Sequence, residues 1–256
     1  MFSRSRLLVL ALGLVLALVA GCADDGTPRR PGDAVTVDEA KVLAELLHRD
    51  FEKGGADFVL TAPYAEGTVL TLTGEVDFRR SIGRAQAVTK YSDGRPEDSR
   101  TMFFTPQQIW FGDVPGLAEA LRAAKGPAAT WIRRPVATTN GQGSASLVDV
   151  LCQLVLNLSA RAGDDPRAFT QGGYTWQGQR SIDSRLASVF RLKGGQTVAV
   201  SAADQTLLQY VTPLHGQNFE VTITLSDHGQ RSIELPAANE TVDAGDYPKV
   251  VEQLGL

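Results

Sequence analysis

The sequence predicts an α+β fold in which helices pack on an antiparallel sheet. Three stretches carry that prediction. From Ser184 to Leu235, short apolar–polar alternations follow one another, separated by turns at Lys193-Gly194-Gly195, Ala203-Asp204 and Asp227-His228-Gly229. That is the pattern of a serial meander with one buried and one wet face. After Thr36, the residues Val42, Leu43, Leu46, Leu47 and Phe51 recur at helical spacing. Between Ser144 and Ala160 the residues Leu147, Val148, Val150, Leu151, Leu154, Val155 and Leu158 leave only the stripe Asp149, Gln153, Asn157 polar. A helix apolar over most of its circumference is buried on most sides, so we expect it to lie in a cradle made by the sheet.

Taken in order, the chain opens with Arg4 and Arg6, an apolar run from Leu7 to Val19, and the tetrapeptide Val19-Ala20-Gly21-Cys22. A charged region, an apolar region and small residues before a cut site make a secretory signal peptide. The apolar run is too short to span a bilayer comfortably. With cysteine after the cut, the tetrapeptide resembles a bacterial lipobox. The boundaries expected are a lipoprotein signal peptide over 1–21, a lipidated Cys22 with a flexible tether over 22–35, and one folded domain over 36–256. The polar, Pro- and Gly-containing residues 23–35 reach roughly 45 Å when fully extended.

Thr36-Val37-Asp38-Glu39 is a capping box that starts a helix, and Gly54-Gly55 stops it. Val69, Leu70, Leu72, Val76 and Phe78 punctuate a strand. Further strands are expected over Arg84–Tyr91 and Arg100–Phe111, with Ser92-Asp93-Gly94 between them. A short helix runs through Leu117, Leu121 and Ala124 and ends at Gly126-Pro127. Thr130–Arg133 is at best a brief strand. After the apolar helix come strands over Ser184–Leu192, Thr197–Ala202, Leu207–Thr212 and Asn218–Ser226, and a last one over Arg231–Leu235.

Composition excludes several classes. The formal net charge is −4, and loss of Arg4 and Arg6 with the leader makes it more negative. Such a chain has no general attraction to nucleic acid or to anionic lipid. The cysteines are Cys22 and Cys152; once Cys22 is acylated, Cys152 has no partner and is expected as a buried, inert thiol. No cluster has metal-ligand spacing, and there is no P-loop, dinucleotide fingerprint or nucleophile elbow. His48, His215 and His228 are isolated and are expected on the solvated surface. Gly141-Gln142-Gly143-Ser144 is expected as an ordinary helix cap rather than an anion site. Trp110, Trp131 and Trp176, near predicted strand ends, are candidates either for the rim of a ligand mouth or for core anchors.

A lipobox, a tether, an amphipathic helix, strands, an inner helix and a closing meander together resemble the LppX/LprG group of cell-envelope lipoproteins, similar in fold to the LolA/LolB carriers. The local matches are Gly173-Tyr174-Thr175-Trp176-Gln177-Gly178-Gln179, then Val198–Ser201 followed by Thr206-Leu207-Leu208-Gln209-Tyr210. Val221–Gly229 and Ser232-Ile233-Glu234-Leu235-Pro236 match best. The resemblance implies a strongly curved antiparallel half-barrel, LolA-like, with helices on its concave side and a hydrophobic cavity between. It also implies a non-enzymatic protein on the extracytoplasmic face of the cell membrane. No cofactor is expected beyond the covalent diacylglycerol and N-acyl lipid, palmitate for example, at Cys22.

The implied function is to bind an acyl chain, lipid or glycolipid and to carry or present it in the envelope. Implied partners are the membrane, a lipid or acylated ligand and an envelope protein, with no nucleic acid. Candidate cavity-lining residues are Leu70, Leu72, Phe78, Phe103, Leu151, Leu154, Phe190 and Ile223; each is alternatively ordinary core. A sensor or protein-interaction module with a filled core is the rival class, and a hydrolase using dispersed acids is a third.

Overall fold

The computed structural model describes residues 28–137, 146–214 and 219–256. Among these residues the fold is α+β: a twelve-stranded, mostly antiparallel sheet with six α-helices. The signal peptide, Cys22, His215 and the Gly141–Ser144 cap lie outside the described residues, as does the first part of the expected tether.

The described chain begins by docking rather than by trailing free. Ala34 bridges to Thr175, the Gly32 N–H donates to the Trp176 carbonyl (2.7 Å), and Arg29 stacks over the Trp176 ring. Arg29, Gly32 and Ala34, within the expected tether, thus contact Thr175 and Trp176. Arg29 also reaches Glu39, the same carboxylate that closes the capping box, so a single side chain fixes both the helix start and the strap before it.

The expected first helix is two: α1 (Val37–Ala44) and α2 (Leu46–Lys53), broken at Glu45 and ended by Gly54 in the left-handed region (φ 100°). Then comes β1 (Gly55–Ala65), a strand not anticipated from the sequence. Its alternation Ala56, Phe58, Leu60, Ala62, all buried, follows directly on a Gly-Gly stop and contains Pro63. The strands β2 (Thr68–Asp77) and β3 (Ile82–Tyr91) follow as a meander. The expected strand over Arg100–Phe111 is a hairpin, β4 (Asp98–Phe104) and β5 (Gln108–Gly112), turned at Thr105-Pro106-Gln107. A Cβ on Gly83 would strike the Phe104 ring, so glycine is what lets β4 lay that ring on the sheet.

After α3 (Leu117–Ala123) and β6 (Trp131–Pro135) comes the apolar helix α4 (Leu147–Leu156), shorter than the expected 144–160. Next are α5 (Pro166–Gln171) and a second meander: β7 (Thr175–Ile182), β8 (Arg185–Arg191), β9 (Thr197–Ser201), β10 (Leu207–Pro213) and β11 (Glu220–Ser226). The chain closes with β12 (Thr241–Asp243) and α6 (Pro248–Leu254).

The two meanders join at the centre, where β1 pairs with β11 in register Leu60↔Ile223. The full order is β12-β6-β5-β4-β3-β2-β1-β11-β10-β9-β8-β7, and among these described strands only the β12–β6 pair is parallel. To reach the β6 edge from β11, the chain must cross the sheet. Residues 231–237 do so over the face away from the helices: Arg231 pairs with Asp57, and Arg80 donates to the Ile233 carbonyl. The expected strand Arg231–Leu235 is this crossing strap, without regular structure. Its alternation serves to seat Ile233 on Ile82, Phe103 and Trp110.

The main core lies on the other face. Phe58, Leu60, Leu72, Met102, Phe104, Ile109 and Ile223 project from the sheet into one cluster with Leu43 and Leu46 of the first helices and Leu151, Cys152 and Val155 of α4. Those three α4 side chains are fully buried. For an aliphatic side chain that contributes about 1.5–3 kcal/mol each, which is why α4 sits inside despite its modest length.

Candidate ligand-binding clefts

Two clefts flank α4, one at each end, both between helices and the inner face of the sheet. The first, of about 270 Å³, lies at the N-terminal end of α4. Its apolar floor comes from Leu70, Met102, Phe111 and Leu147, and its walls include Arg100 and Arg134. Each arginine already has a carboxylate partner. Arg100 pairs with Asp98 at 3.1 Å, and Arg134 grips Asp149 through two hydrogen bonds of 2.6 and 2.9 Å. Asp149 is almost wholly buried and also accepts from the Ala137 N–H. A buried carboxylate with a bidentate guanidinium and a backbone donor is satisfied, and here it fastens the first turn of α4 to β6.

The second cleft, of about 310 Å³, lies at the C-terminal end of α4. Leu43, Leu46 and Leu47 of the first helices face Val198 and Leu207 of β9 and β10, with Leu154 and Leu158 behind. Phe169, Tyr174 and Tyr210 supply aromatic walls, and the first two rings stand 5.1 Å apart. The polar groups are those of Asn157 and Asp164 and the two tyrosine hydroxyls. An apolar recess with a few polar groups at its rim, at the small end of the size range of ligand pockets, is the general form of a small-molecule site.

The expected lining residues divide between these clefts and the core. Leu70 lines the first cleft and Leu154 the second. Leu72, Phe78, Leu151, Phe190 and Ile223 are packed in the filled core, none more than 2 % exposed. Phe103 is a correction: it projects from the opposite face, edge-on to Trp131 at 5.3 Å and against Ile233. Met102, Phe103 and Phe104 form an unbroken apolar run, so alternation alone leaves the face of Phe103 undetermined. Trp110 is buried on that same outer face, Trp131 packs beside it, and Trp176 lies under Arg29.

Two further expectations change or hold in detail. His228 is expected in solvent, but its side chain is 3 % exposed and faces Asp50 of α2 across 3.6 Å. Burial, with Arg185 nearby, holds its imidazole down at about 4. Burial likewise pushes Asp50 well above the usual carboxylate range, partly opposed by the Leu207 N–H. Asp50 Oδ2 and both His228 ring nitrogens find no hydrogen-bond partner. The spacing Leu43, Leu46, Leu47, Asp50 already places Asp50 on the buried stripe of its helix, a signal the sequence contained. His48, by contrast, is half-buried beside the Ala160 carbonyl. Cys152 is fully buried, and that burial raises its thiol far above the range of a nucleophile.

Among the described residues no His, Cys, Asp and Glu side chains group as a metal site, and no helix is long and apolar enough to cross a membrane. No family model matches the chain, and neither does any curated protein. Among solved structures it is similar to LprF from Mycobacterium bovis, of the LppX/LprG family. The two are 14% identical with a TM-score of 0.45, over 80% of this chain and 98% of that one. It is also similar to an uncharacterized conserved protein from Thermus thermophilus, at 8% identity and a TM-score of 0.38, over 80% and 98% of the two chains.

Proposed function

We propose that this protein is a membrane-anchored, non-enzymatic lipoprotein that holds an acyl chain, lipid or glycolipid and carries or presents it in the cell envelope. The observation that supports this most is the apolar cleft at the C-terminal end of α4, walled by leucine, valine and aromatic side chains. An alkyl chain leaving a membrane must enter another apolar medium. Exposing roughly 300 Å² of it to water costs about 7–8 kcal/mol, and such a cleft removes most of that cost without specific polar contacts. The reading includes lipidation at Cys22 on the extracytoplasmic face, and curvature of the sheet around α4 as a half-barrel with the helices on its concave side. The Asp50–His228 pair does not favour a hydrolase, because it is sealed from any substrate.

One observation favours the rival class of sensor or interaction module: five of the eight expected lining residues, from Leu72 to Ile223, are packed core. Native mass spectrometry of residues 23–256 purified from the native host, with organic extraction of what co-purifies, separates the two. A stoichiometric lipid that is excluded by Leu154→Trp, with the fold intact, is the expected result. A clean ligand-free mass that persists after incubation with envelope lipids would leave the interaction module.

A further inference from the structure

The electrostatic character of the second cleft selects its ligand further, given that the cleft holds an alkyl chain as proposed above. Among the described residues its lining contains the carboxylate of Asp164 and no lysine or arginine. A second carboxylate, Glu45, lies against Gly163 next to Asp164. Both acids are exposed, and no ion pair among the described residues uses either. The C-terminal end of α4 points the same way: its last carbonyls, capped at Asn157, give the rim a partial negative charge. The lining also includes Phe169, Tyr174 and Tyr210, and an aromatic ring face attracts a cation. Acid rim, helix C-terminus and aromatic wall therefore agree in sign.

We propose that this cleft takes a single-chain amphiphile with a cationic head, an ammonium or quaternary ammonium group on one alkyl tail. The tail occupies the Leu46, Leu47, Leu154 and Leu158 recess, and the head lies at Asp164 and Glu45 between the aromatic rings. One chain is the capacity. Its volume of about 310 Å³ lies at the small end of the range of ligand pockets. The fully buried Leu151 and Cys152 separate it from the first cleft.

The test holds the tail constant and varies the head. Dodecyltrimethylammonium, dodecyl maltoside and dodecyl sulfate are titrated calorimetrically into residues 23–256, each below its critical micelle concentration, at low ionic strength, with circular dichroism confirming the fold. The expected order is ammonium, then maltoside, then sulfate, with about a tenfold or greater gap between the charged heads. In the double variant Asp164→Asn, Glu45→Gln the gap between the charged heads closes, and Leu154→Trp abolishes binding of all three. Equal affinities, or a preference for sulfate, would overturn the head-group selection and leave the alkyl-binding function standing. No binding of any tail would overturn the alkyl-binding function itself.

Discussion

The first turn of α4 and its last turn meet the sheet in opposite ways. At the first turn Arg134, Asp149 and the Ala137 N–H complete one another, so the adjoining cleft has cations whose charge is already matched. At the last turn the side chains are apolar, and the carboxylates nearby are exposed and without a cationic partner among the described residues. Between them Leu151, Cys152 and Val155 fill the core completely. One end of the helix is a fastening and the other is a recess. The same ten residues that give α4 its buried centre thus end on one side in an ion pair and on the other in an apolar recess.

The largest effect is expected from breaking the fastening. Arg134→Met strands a buried carboxylate and should cost about 3–5 kcal/mol in urea denaturation, whereas Arg134→Met with Asp149→Leu should recover most of it. A cost of less than about 1 kcal/mol for the single variant would show that the pair is not what holds the helix. Next comes the divider. Leu151→Ala should destabilise by about 2–5 kcal/mol and leave space toward both clefts; a crystal structure of the variant would show whether the two become continuous.

The third effect concerns α2, whose leucines wall the second cleft while its Asp50 meets His228. The His228 folded value, about 4, lies below its ordinary 6.5. Its contribution is therefore intact above pH 6.5 and lost as pH falls toward 4, a loss of up to about 3 kcal/mol. Asp50 has the opposite sign: its raised folded value makes the carboxyl costly as pH rises, so Asp50→Asn should gain stability toward alkaline pH. A stability–pH profile that His228→Gln leaves unchanged below pH 6.5 would contradict the assignment. The smallest effect on stability, under about 1 kcal/mol, is expected from Leu154→Trp, because the new ring enters an open recess and not a packed core. Ligand occupancy should nevertheless fall sharply, and the matching Leu147→Trp in the first cleft should leave occupancy unchanged.

Much of this arrangement was legible in the residues. Thr36 and Glu39 announce the first helix, and they form the capping box. The apolar residues within 144–160 announce a helix, and its Leu151, Cys152 and Val155 are buried. Phe219, Val221, Ile223 and Leu225 announce a strand with one buried face, and β11 pairs on both sides as a central strand must. What was not legible depends on contacts distant in sequence. The Gly54-Gly55 stop hides the strand that follows it: β1 pairs with β2 beside it, and its other edge is completed by β11, near the other end of the chain. Asp149 reads as a wet stripe until Arg134 is brought against it, and His228 reads as a turn residue until α2 covers it. The expected lining set failed at Phe103 because a run of three apolar residues has no defined face. It was incomplete because Leu46, Leu47 and Tyr210 become cleft walls only when α2 packs over β10.

The most direct test of the account is photo-crosslinking with a diazirine-bearing alkyl amine, followed by peptide mapping. The account predicts label on α2, on the C-terminal half of α4 and on β10, around Leu47, Leu154 and Tyr210, lost on competition with unlabelled amine. Label confined to Leu70, Met102 and Leu147 at the other end of α4, or spread over the outer face around Phe103 and Trp131, would contradict it.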